Sequence, residues 1–176
     1  MKRELTLTDI AGYLEHPLLG QHPSGNICWI DVEFVAKYGI ALAGYKPVLR
    51  PMSDLYKEIT DKDYNGGEPF VPIVELANLL GESKIYQWKL HSDGRCAFSP
   101  EAMDYFRWLE EEKSFIHSLS YCEFSTGYVI FNQHEMYDLL HRLHFDYRGL
   151  IPVGLAVSVH DLKRNLYENS RRDRQN

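Results

Sequence analysis

Long apolar runs are missing from this sequence. No stretch approaches the ~20 residues that a helix needs to span a bilayer. Residues 1–20 carry charges and no apolar segment of signal-peptide length. A cytoplasmic protein with no membrane association is therefore expected. Cysteine is scarce: Cys28, Cys96 and Cys122 are an odd set with no CxxC pair. That argues against a zinc knuckle and fits free thiols in a reducing compartment. Positive charge is also short. The 19 Lys and Arg against 25 Asp and Glu give a formal net charge of −6, which opposes general attraction to nucleic acid. No Walker-type GxxxxGK[ST], no GxGxxG and no GxSxG occurs, so neither a nucleotide cradle nor a nucleophile elbow is encoded in recognisable form, and no cofactor is expected.

Apolar residues, by contrast, make up 44% of the chain, enough for a packed core and too many for global disorder. Tyrosine is frequent, with 12 copies. A half-buried ring with a wet hydroxyl suits interfaces. The length of 176 residues predicts one α+β domain over 1–168 and a basic, flexible tail over 169–176.

Along the chain, "LTLTDIAGYLEH" (5–16) predicts a short helix capped by Thr6 or Thr8. "HPSGN" (22–26) is turn chemistry. The β-branched and aromatic residues of 27–43 predict one or two strands. Pro47 and Pro51 bracket Val48-Leu49-Arg50, which reads as an edge strand or connector. A short helix should follow from Ser53 to Ile59, then a loop turning at Asn65-Gly66, and a helix over 70–81 with Pro72 in its first turn. Residues 84–100 predict a hairpin. Residues 99–119 predict a helix with Ala102, Phe106 and Leu109 on one face and Glu110 to Glu112 solvated. Residues 121–131 predict a strand or hairpin. The last helix, 132–146, is marked by Met136, Leu139, Leu140 and Leu143 at steps of 0, 3, 4 and 7. Gly149 is expected to be its left-handed stop, and an apolar segment closes the fold. About four helices with short strands and no strict βαβ rhythm give the α+β class.

His134, Asp138, His141 and His144 on that helix raise a metal or acid–base reading, since imidazoles and a carboxylate three and four apart share a surface. Against it, the ten residues from His134 to His144 end about 80° short of three full turns, so the row fans out. HExxH spacing is absent, because the second histidine of "HEMYDLLH" comes seven residues after the first. His144 reads as a C-terminal capping residue and Asp146 as a turn residue bonding the backbone two positions on. No catalytic residue is assigned; His134, Asp138 and His141 remain metal candidates. Lys163, Arg164, Arg171, Arg172 and Arg174 offer a second alternative, nucleic-acid binding through the tail.

Three stretches carry a family resemblance. "YKPVLRPMSDLYKEI" followed by "FVPIVELA" resembles the KPxLRPxSDLTKEI…FVPI segment of a group of uncharacterised proteins from Bacteroides-type bacteria, their phages and mobile elements. "FNQHEMYDLLHRLHFDYRGLIPVGLAVSVHDL" is similar to that group's ending, and "LTLTDIAGYLEHPLLG" to its start. The group has no established activity, so no site residue is carried over. The resemblance implies a small accessory protein of phage or prophage type in the bacterial host cytosol. Together with the tyrosine content it leads to the expectation of a non-enzymatic binding domain. Its partner is expected to be a macromolecule, protein rather than nucleic acid, with a homo-oligomer left open. An exposed apolar patch holding Tyr or Trp would support that expectation.

Overall fold

A computed structural model describes residues 3–79, 89–90, 96–97, 105–118, 128–129 and 133–162. The class is α+β. The chain divides into two compact units: Met1–Met52 with Leu140–Asn176, and Ser53–Leu139. The tail 169–176, with Arg171, Arg172 and Arg174, and also Lys163 and Arg164, lie outside the described residues.

The first unit begins with α1 (Leu7–Ile10), running into a 3-10 turn, Ala11–Glu15. Thr6 is the N-cap. Asp9 reaches back to accept from the Thr6 N–H at 2.9 Å and its hydroxyl at 2.8 Å, the capping-box arrangement. β1 (Leu18–Gln21) and β2 (Ile27–Ile30) are antiparallel, joined by the His22–Asn26 turn. β3 (Lys46–Leu49) pairs antiparallel with β1 and parallel with β9 (Val157–Ser158), giving the order β2-β1-β3-β9.

Two expectations are corrected here. Residues 31–38 are not strand: α2 (Val32–Tyr38) follows β2 directly. Its signals are helical. Asp31 caps it by accepting from Phe34 N–H at 2.7 Å, Glu33 sits in the first turn, Lys37 in the last, and Gly39 stops it at φ 69°. β-Branched and aromatic composition outweighed those signals in the reading of 27–43. Secondly, β3 is an interior strand, although Pro47 suggested an edge. The proline is tolerated because β9 is paired only with Val48 and Leu49, so no β9 residue stands opposite Pro47.

The second unit contains α3 (Pro72–Asn78) and a five-stranded antiparallel sheet, β4 (Lys89–Leu90), β5 (Cys96–Ala97), β6 (Tyr105–Leu109), β7 (Ser114–Ser118) and β8 (Tyr128–Val129), in sequence order. Pro72 occupies the first turn of α3, which buries Ile73, Val74, Leu76 and Ala77. Asn65, Gly66 and Gly67 are all left-handed, and the loop they form is closed by an Ile59–Phe70 bridge. The segment from Ser53 is a 3-10 helix, Met52–Tyr56, shorter than expected.

The expected helix 99–119 is overturned: its described part, 105–118, is the β6–β7 hairpin. Phe106, Trp108 and Phe115 decide it. At steps of two they share one face, and across the strands the Phe106–Phe115 rings stack at 5.2 Å while Trp108 meets Phe115 edge-on at 4.9 Å. The acidic run forms the turn, where Lys113 is left-handed and Glu110 takes both Lys113 and the Trp108 indole N–H. Ser99, Pro100 and Ala102 lie outside the described residues, as do 91–95 of the expected hairpin and 121–127 of the expected strand.

α4 (His134–Arg142) begins in the second unit and ends in the first. It stops four residues short of the expected end. The left-handed stop is His144 at φ 56°, five residues before Gly149. Phe145 N–H bonds Leu140 C=O at 2.8 Å and His144 N–H bonds His141 C=O at 3.0 Å. This is a Schellman motif, with Phe145 and Leu140 as its buried apolar contact. A side chain in that backbone conformation is strained. His144→Gly is therefore expected to be more stable than His144→Ala by about 1 kcal/mol, the reverse of their order inside a helix. Amide hydrogen exchange at the end of α4 in the two variants checks the sign, and greater protection in Ala than in Gly would refute the assignment.

Candidate functional site

Two places in the first unit merit a functional reading: the joint after α4 and the surface of β2 and α2. The sequence candidates lie on α4, His134 and Asp138 in its second-unit part and His141 at its end, beside the joint. His134 is exposed and lies 4.0 Å from Glu135; Asp138 is exposed too. His141 is turned elsewhere. Its ring meets Tyr13 edge-on at 4.9 Å, and its Nε2 is 2.9 Å from the Tyr147 hydroxyl. That hydroxyl also accepts from Arg148 Nε at 3.0 Å. His144 lies 6.5 Å from Tyr13, ring to ring. Among the described residues no group of three His, Cys, Asp or Glu side chains is arranged to hold a metal ion. Of the candidates, His134 and Asp138 are exposed to solvent, and His141 is engaged with Tyr13 and Tyr147.

What the joint does do is tie the chain together. Tyr13 is fully buried and donates its hydroxyl to the Phe145 carbonyl at 2.6 Å. Burial pushes this phenol far above its ordinary range, with the neighbouring Tyr147 and Asp146 acting in the same direction, so it stays a donor. Arg50 N–H bonds His144 C=O at 2.7 Å, and Asp146 N–H bonds Arg50 C=O at 2.8 Å, extending the sheet beyond β3. The buried Asp146 carboxylate accepts from the Leu150 and Ile151 N–H groups, both at 2.7 Å. These amides are four and five residues on, not the two expected from turn chemistry. In the first helix, burial works to raise the Asp9 carboxyl, but Thr6 and the Arg3 guanidinium at 2.6 Å hold it below its usual range.

A cavity of about 580 Å³ opens beside residues 40–46, lined by Arg3, Leu5, Ile40, Tyr45, Lys46 and Leu155 among others. Gly44, which lines it, is the last of three consecutive left-handed residues, Leu42, Ala43 and Gly44. Its charged lining residues are Arg3, Glu4 and Lys46, and Arg3 is ion-paired with Asp9.

The β2–α2 surface has a different character. The outer face of β2 shows Ile27, 38% exposed, and Trp29, 58% exposed, while Cys28 and Ile30 turn inward. The thiol of Cys28 is half-buried, and that burial raises it above its ordinary value. α2 has no buried residue at all; Val32 is 65% exposed and Tyr38 44%. Phe34 packs on Tyr38 at 4.7 Å and on Tyr45 at 5.7 Å. The sequence reading missed this surface, although the signal was present. Ile27 and Trp29 alternate, and Asp31 and Gly39 frame a helix too short and too apolar to be solvated on every side.

Comparison with protein-family models, with curated proteins and with solved structures returned no match. Among the described residues no helix is long and apolar enough to cross a membrane.

Proposed function

We propose that this chain is a non-enzymatic binding module that engages a protein partner through β2 and α2. One observation carries the reading. Of the seven large apolar side chains exposed among the described residues, four fall within twelve consecutive positions, Ile27, Trp29, Val32 and Tyr38. Singly exposed apolar residues are ordinary; a cluster on adjoining elements is not. Trp and Tyr are also the residues that concentrate binding energy at interfaces. A net charge of −6 favours a protein over a nucleic-acid partner. The resemblance of the 45–80 region and of both ends to phage and mobile-element proteins supports, within the proposal, an accessory role in the bacterial cytosol.

A photo-crosslinking amino acid at position 29 tests this in the native host, with the same group at the exposed Glu58 as control. Macromolecular adducts should form from position 29 and not from 58. Equal labelling from both, or none from 29, would refute the reading.

A further inference from the structure

The ladder of β1 and β2 fixes which backbone groups of β2 point outward. His22 N–H bonds Asn26 C=O at 2.8 Å, so 22 and 26 are a hydrogen-bonded pair. Such pairs alternate along antiparallel strands. In the register Gly20↔Cys28 and Leu18↔Ile30, Cys28 and Ile30 therefore aim their N–H and C=O at β1, and Ile27 and Trp29 aim theirs away from it. β2 ends the sheet, and among the described residues no strand pairs with that outer side. None of the usual protections of an edge is present in it: "ICWI" has no proline, no lysine and no charge.

We infer that β2 pairs with β2 of a second copy of this chain, antiparallel about a two-fold axis at Cys28. The inference rests on the β2–α2 surface being the partner-binding face. Three features select a second copy over another strand. First, the outward groups are self-complementary. With the axis at Cys28, Ile27 faces the second copy's Trp29 and Trp29 faces its Ile27, two hydrogen-bonded pairs that satisfy both residues in both copies. Second, the exposed side chains match. Ile27 and Trp29 stand on one face of the strand, so each aromatic ring lies beside an isoleucine across the axis. Third, the charges permit it. Two copies of a chain of net charge −6 repel, yet residues 26–30 are uncharged. The nearest carboxylate, Asp31, is held by the Phe34 N–H and would face the second copy's Gly25. The interface is isologous and closes on itself, so it yields a dimer and not a filament. The two four-stranded sheets become one of eight strands, with Val32 and Tyr38 of α2 flanking the seam.

Sedimentation velocity on the full chain, up to about 100 µM, is the test. The wild type should form dimers that dissociate on dilution. Trp29→Lys should weaken the dimer at least about tenfold, because it places a lysine on the edge. Ile27→Pro removes an N–H that the β1–β2 ladder does not use, so it should leave the far-ultraviolet circular dichroism unchanged and weaken the dimer by about tenfold. Copper–phenanthroline oxidation should then trap a disulfide-linked dimer in the wild type and not in Cys28→Ser, since facing residues of a non-hydrogen-bonded pair have Cα atoms only about 4.5 Å apart. A monomeric wild type, or a dimer indifferent to both Trp29→Lys and Ile27→Pro, would overturn the inference. If the wild type is monomeric while position 29 still forms adducts with another protein, the dimer fails and the binding-module reading stands. If position 29 forms no adduct of either kind, both fail.

Discussion

Asp146→Ala should destabilise the first unit by about 3–4 kcal/mol. Its carboxylate is 4% exposed and accepts two backbone N–H groups at 2.7 Å, from Leu150 and Ile151. Hydrogen bonds to a charged acceptor contribute about 1.5–3 kcal/mol each. Alanine removes both acceptors and leaves the two donors in a partly closed turn with nothing of the right shape to replace them. Asn keeps one acceptor at the same place and should cost about half as much. Because the chain has two units, a single global transition is not a safe measure. Amide hydrogen exchange at Leu150 and Ile151 is the direct readout. Both amides should exchange much faster in Asp146→Ala, and one of them in Asp146→Asn. Protection unchanged in the alanine variant would mean that the carboxylate does not hold this turn.

The weight placed on Asp146 follows from where it sits. Segments far apart in sequence meet around the joint. Tyr13, from the opening stretch, bonds the Phe145 carbonyl; Arg50, from the KPVLRP stretch, exchanges backbone hydrogen bonds with His144 and Asp146. In the same region β3 pairs with β9, Val48 with Val157 and Leu49 with Ser158. Residues from both ends of the first unit and from 46–50 thus build one sheet and lock its ends. Such residues specify a fold, whereas the proposed interaction face lies on β2 and α2.

This also explains what was legible in the sequence. Local, periodic signals were readable. The apolar stripe of α4, Pro72 at the start of α3, the Thr6 cap and the Asn65-Gly66 turn each encode their structure within a few residues. Long-range pairing was not. Nothing near Pro47 announces that residues 157–158, more than a hundred positions later, will make β3 an interior strand. The β6–β7 hairpin was misread because the step of four from Phe106 to Ala102 resembles a helix face, while the step of two from Phe106 to Trp108 was the one that packing used. At the end of α4 the expected glycine stop was displaced by His144 at φ 56°; histidine enters that conformation more often than most side chains but less readily than glycine, so Gly149 was the stronger local signal. For the site, the histidines drew attention by spacing alone. The exposed face was overlooked because exposure is a property of the folded chain, and a Trp in a short apolar strand reads as core until the sheet order is known.

Gly12→Ala carries the second large expectation, and its sign depends on His141. A Cβ built on Gly12 falls 2.2 to 2.6 Å from three atoms of the His141 ring. The imidazole is packed directly against the backbone of the first 3-10 turn, so an added methyl must push it away. Moving it breaks the 2.9 Å contact with the Tyr147 hydroxyl and the edge contact with Tyr13. Overpacking of this kind costs about 1–3 kcal/mol. Yet alanine suits a helical turn better than glycine, by about 0.5–1 kcal/mol, where nothing obstructs it. Gly12→Ala alone should therefore destabilise, and the same change in a His141→Ala background should be neutral or stabilising. A double-mutant cycle, read by exchange at amides of the Ala11–Glu15 turn and the end of α4, measures the coupling. If Gly12→Ala is equally destabilising with and without His141, the ring does not occupy the space over Gly12, and the clasp that joins the first turn to the last helix is not built as described. A coupling that reverses the sign would establish His141 as a packing residue whose place in the sequence is fixed by a glycine more than a hundred positions upstream.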